Sequence, residues 1–76
     1  NIWRGKMTAD HESEARCREV ADLAEDIFES RTVALDWMAA PNPALGGLAP
    51  QHLCGTEAGA QQVRRVLRAL ESGGVV

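Results

Sequence analysis

The chain has 76 residues, a formal net charge of −3, and 45% apolar and 25% charged residues. That length fits one small domain, which buries only about 60% of the surface its unfolded form exposes and is marginally stable alone. The composition excludes a disordered tail or a low-complexity repeat, the acidic balance opposes stand-alone nucleic-acid binding, and the longest apolar run, Trp37 to Ala40, is too short for a membrane span.

No stretch alternates apolar and polar residues over strand length, so the predicted fold class is all-α: a small helical bundle of about four helices, one long, two short, one long. Positions 1–8 are read as the ragged end of something longer or a cloning remnant, and 9–76 as a single helical domain. The first helix is expected from about Asp10 to Glu29. Cys17, Val20, Leu23, Ala24, Ile27 and Phe28 recur at spacings of three and four along one face. Thr8 or Asp10 is the expected cap, and acidic residues in the first turn suit the positive end of the helix dipole. Ser30 reads as the cap of a second, short helix with Val33, Ala34, Trp37 and Met38 on its apolar side. Pro41 and Pro43 force the chain out of that helix near Ala39 or Ala40.

The segment PNPALGGLAP follows, a loop shaped by its residue types. Its prolines restrict the backbone, while Gly46 and Gly47 permit positive φ. Leu45 and Leu48 are expected to anchor it in the core. Pro50 suits the first turn of a very short third helix to Cys54. Gly55 ends that turn, and Thr56 caps a last helix from about Glu57 to Ser72. Its apolar stripe is Val63, Val66, Leu67 and Leu70, with Arg64, Arg65 and Arg68 on other faces. Gly73 and Gly74 stop it. The tail Gly74-Val75-Val76 is then an apolar end.

Few chemical sites can be assembled from these residues. Carboxylates such as Glu12 with Glu19, or Asp22 with Asp26, read as a solvated acidic face, since an acid–base pair needs a cleft that raises one pKa. His52 and Cys54 stand two apart, which does not place two ligands on one helical face, and no CxxC or HxxxH spacing occurs; no metal or cofactor is expected. Two cysteines are no disulfide framework, so Cys17 and Cys54 are expected as small buried thiols in a reduced, cytoplasmic setting. The glycine pair lacks a preceding strand and is read as a turn rather than a phosphate loop. Trp37 is assigned to the core, and Trp3, beside Arg4 and Lys6, is left open between a partner anchor and a disordered end.

From Ser30 to Gly73 the sequence resembles the toxin-binding C-terminal domain of the Xre/MbcA/ParS antitoxins. The resemblance rests on Ala34, Trp37, Pro41, Asn42, Leu45, Gly46, Gly47, Pro50, Leu53, Gly59, Val63, Leu67, Leu70 and Gly73 in that order. Met38 and Cys54 stand where leucine is usual. The resemblance implies a non-enzymatic antitoxin of the RES–Xre type, oligomeric in complex with its toxin. The toxin's fold resembles ADP-ribosyltransferases and it consumes or uses NAD. It further implies that the chain's C-terminal end lies over or in the toxin's NAD pocket. The expected toxin-binding residues are therefore Arg64, Arg65, Arg68, Gly73, Gly74, Val75 and Val76. Relatives usually carry an N-terminal helix-turn-helix, which the roughly 30 residues before the motif are too few to form. DNA contact is thus expected only through a domain not evident in this chain. The alternative reading is the dimerisation module of a transcriptional regulator without a toxin.

Overall fold

The computed structural model describes residues 2–73, with side chains from residue 11 onward. Four α-helices follow in order: α1 (Ile2–Phe28), α2 (Arg31–Ala39), α3 (Pro50–Leu53) and α4 (Glu57–Glu71), with a single 3-10 turn at Pro43–Leu45. The all-α expectation holds. The first helix, however, starts at Ile2 rather than near Asp10. Thr8 and Asp10 lie inside it rather than at its start, and its first turn carries no acidic residue. Periodicity could not find this start, because the segment before Cys17 has no apolar stripe to extend.

α1 stops at Phe28, one residue earlier than expected, because Glu29 adopts a left-handed φ of 56°. Ser30 then caps α2 as predicted: its hydroxyl accepts from the Val33 N–H at 3.2 Å. The two helices form a tight hairpin, and Phe28 meets Trp37 across it with ring centroids 5.9 Å apart. Trp37 is half-buried against the core rather than inside it. Val33, assigned to the apolar side of α2, is 48% exposed; Ala34 and Met38 make the inward face instead. A nine-residue helix packed on one side only buries a single narrow stripe, and Val33 falls just beyond it.

The core holds Val20 and Ala24 of α1, Ala34 and Met38 of α2, Leu45, Cys54, and Ala60, Val63, Val66 and Leu67 of α4. α4 is the strongest element by pattern. Its apolar residues recur every three or four positions and face α1, while Thr56 accepts from the Gly59 N–H at 3.0 Å. At its other end Ser72 donates both its N–H and its hydroxyl to the Arg68 carbonyl, each at 3.0 Å. Gly73 turns left-handed with φ 82°, as expected of a helix-terminating glycine.

Candidate functional site: the loop, the arginine face and the chain end

The PNPALGGLAP loop closes on Asn42. Its side-chain oxygen accepts from the Ala44 N–H at 2.9 Å. Its backbone carbonyl accepts from both Leu45 and Gly47, each at 2.9 Å, and its N–H donates to Leu48 at 3.0 Å. One residue therefore organises the whole turn, in the way an Asx side chain mimics a backbone turn. Pro43 starts the 3-10 turn with its φ already set, and Gly46 and Gly47 both take positive φ, 70° and 84°. Leu45 reaches the core. Leu48 does not, contrary to expectation: it is 51% exposed, because its backbone is held in the bridge to Asn42 and its side chain points away from the helices. Pro41 and Pro43 lie at the surface, while Pro50 is buried as the first residue of α3.

Gly59 carries a different requirement. A Cβ at this position would overlap the backbone carbonyl of Leu53, so only glycine lets α4 start so close to the end of α3. Leu53 itself is half-buried against the core.

The three expected arginines share one arc of α4, but their surroundings differ. Arg64 reaches across to Glu19 of α1 at 3.8 Å. Arg68 pairs with Glu71 at 3.1 Å on its own helix. Arg65 makes no ion pair among the described residues and borders an open depression of about 480 Å³ with Ala44, Leu45, Gly46, Gln62 and Val66. The side of the molecule around the α1–α2 hairpin is acidic: Asp22, Glu25, Asp26 and Glu29 surround a second depression that also includes Arg31. Arg31 is paired there to Glu25 at 3.0 Å. Charge is thus separated between an arginine-bearing α4 and an acidic α1–α2 end. Gly73 is exposed at the end of α4, and the expected contacts of Gly74, Val75 and Val76 lie outside the described residues.

One pairing reverses the sequence reading. Cys17 and Cys54 are joined in a disulfide with their Cα atoms 4.9 Å apart, so neither is the buried thiol expected. Two cysteines are few for a framework, but Cys17 packs against the core from α1 and Cys54 is fully buried at the end of α3. Cys17 lies on the apolar stripe of α1 and Cys54 takes a leucine place after α3. The sequence shows each position; only packing brings them together. Around the bond, Ser13 and Arg16 both donate to the Gly55 carbonyl, at 2.9 and 3.0 Å, and Arg16 also faces Glu57 at 3.5 Å. None of these contacts was foreseeable from spacing. No group of three or more His, Cys, Asp or Glu side chains among the described residues is placed to hold a metal.

This loop, the glycine at the start of α4 and the glycine stop after it all fall within residues 23–73, which match the family model described as the antitoxin Xre/MbcA/ParS C-terminal toxin-binding domain. The chain belongs to the Xre/MbcA/ParS antitoxins. It is 36% identical over 72 residues to a protein named Antitoxin Xre from Photorhabdus laumondii subsp. laumondii, an alignment covering 92% of this chain. The chain spans about half the length of that relative, 49%. No solved structure matches it. In this antitoxin domain the shared motif residues divide by physical task. Ala34, Leu45, Val63 and Leu67 fill the core, Asn42, Gly46 and Gly47 shape the loop, and Gly59 permits the α3–α4 approach. No helix among the described residues is long and apolar enough to cross a membrane.

Proposed function

We propose that this antitoxin domain binds and neutralises a RES-type, NAD-directed toxin, and that its C-terminal end occludes the toxin's active site. The domain itself takes no catalytic part; it works in the cytoplasm, in an oligomeric complex with the toxin. The observation that carries the reading is the abrupt end of α4. The Ser72 bonds and the left-handed Gly73 finish the helix, so residues 74–76 are not needed to complete it. Two valines following a finished helix suit insertion into a nucleotide pocket, where apolar walls await a substrate. Arg64, Arg65 and Arg68, just upstream on α4, suit acidic groups around the pocket's mouth.

The test is a titration of toxin NADase activity against the intact chain and a form ending at Gly73. Each buried valine contributes roughly 1.5–3 kcal/mol before the costs of ordering the tail. The truncated form is expected to bind about tenfold to a thousandfold more weakly. Equal inhibition by both forms would remove the plug and shift the burden to the arginine face.

A further inference from the structure

The disulfide has a position that a passive staple does not require. Cys54 lies inside the family-matched segment, while Cys17 lies on α1 six residues before it begins. Along α1, Val20 and Ala24 are fully buried, and Leu23, Ile27 and Phe28 pack on the core. N-terminal to Cys17, the described side chains that hold α1 are Ser13 and Arg16, both donating to the Gly55 carbonyl, with Arg16 also facing Glu57 at 3.5 Å. The bond therefore sits where the firmly packed part of α1 gives way to a part held by polar contacts.

We propose that Cys17 and Cys54 form a thiol–disulfide exchange site, through which a glutathione-type thiol or a small dithiol sets how firmly the first half of α1 is held to the antitoxin domain. The unequal burial of the two cysteines gives the exchange a direction. Cys54 is fully buried, whereas Cys17 is half-buried and is the sulfur an incoming thiolate reaches. Attack on the Cys17 sulfur forms a mixed disulfide and breaks the bond to Cys54. The Cys54 sulfur leaves with the electron pair and takes a proton. A second reductant thiolate then attacks the reductant's own sulfur in the mixed disulfide, releasing the Cys17 thiolate, which is protonated. The balance is two electrons and two protons to the protein, and one disulfide formed on the reductant. The reduced state fits the same fold. The Cys54 sulfur lies 3.4 Å from the Gln51 carbonyl, so the new buried thiol has an acceptor to which it can donate. Reduction thus releases a restraint without leaving the buried Cys54 thiol unpaired.

The experiment uses the full 76-residue chain and needs no toxin, so its outcome is independent of the function proposed above. The chain is equilibrated in buffers of graded reduced-to-oxidised glutathione ratio. Thiols are counted by alkylation and mass, and backbone hydrogen exchange and melting are followed in parallel, with Cys17→Ser as the permanently unlinked reference. Both cysteines are expected to become alkylated together and reversibly. Exchange protection of α1 before Val20 should fall by about tenfold or more beyond the fall in α4, which follows only the lower global stability. The melting temperature should drop by on the order of 15 °C, given what a cross-link over this span contributes. The Cys17→Ser variant should match the reduced chain in every buffer. A bond that resists millimolar glutathione in the folded protein, or reduction that leaves α1 protection unchanged, would overturn the proposal and leave a permanent structural link.

Discussion

A Cβ on Gly59 would run into the backbone carbonyl of Leu53, whereas one on Gly46 would meet nothing within 4 Å. Both positions are glycine for backbone reasons, but the reasons are opposite. At Gly59 the conformation is helical and space is lacking; at Gly46 space is free and φ is 70°. Alanine at Gly46 should cost about 1–2 kcal/mol, the strain of a left-handed residue. Alanine at Gly59 should cost more, about 3 kcal/mol or above, since the obstacle is a backbone atom that cannot rotate away and α3 must shift. Urea midpoints of the two variants check the ranking; a Gly59→Ala variant as stable as the parent would show that α3 and α4 are not in this contact. The large aromatic follows similar reasoning. Trp37 is half-buried against Phe28, so Trp37→Ala should cost about 2–3 kcal/mol, below the roughly 3–5 kcal/mol of a fully buried aromatic. Thermal melting reads that difference directly.

Between elements, the junction of α1 and α2 stores strain. Glu29 adopts a φ of 56°, a place where helices usually set glycine or asparagine. The conformation is imposed from both sides. α1 must stop for Phe28 to meet Trp37, and Ser30 must be extended to cap α2, with φ −161° and ψ 122°. Glu29→Gly should therefore stabilise the domain, by up to about 1 kcal/mol, because relief of the left-handed cost exceeds the added flexibility of the unfolded chain. A melting temperature lower than the parent's would mean that the glutamate side chain supports the hairpin in another way. The loop before α3 meets the same kind of demand without strain, since its two positive-φ positions are already glycine and Asn42 supplies the closing bonds.

For the molecule as a whole, folding and neutralisation draw on different residues. The buried set runs from Val20 to Leu67, whereas the proposed contacts are surface arginines and the end of the chain. Ion pairs such as Arg64–Glu19 at 3.8 Å and Arg68–Glu71 at 3.1 Å are at the surface and contribute little to stability. A form ending at Gly73 should accordingly melt within about 2 °C of the intact chain, because it keeps every core residue among the described residues. A larger fall would show that the tail folds back on the domain, and the loss of toxin binding could then not be read as loss of a plug.

The sequence alone determined the helical class, the caps at Ser30 and Thr56, the stop at Gly73 and the turn at Gly46-Gly47. Each depends on residues within one or two turns of each other, where propensity and hydrogen-bond geometry are local. The ordered motif was also enough to suggest the family, since its prolines, asparagine and glycines are needed for the loop's backbone itself. Tertiary structure decided the rest. Whether Val33 or Leu48 is buried depends on which side of a short element another element covers, and Trp37 stops half-way for the same reason. The start of α1 lies beyond the apolar stripe that would have marked it. The bond between Cys17 and Cys54, and the Gly55 carbonyl that Ser13 and Arg16 share, join residues about forty positions apart. Spacing carries no information about such pairs, because their distance is set by how α1 lies across the α3–α4 junction and not by the chain between them.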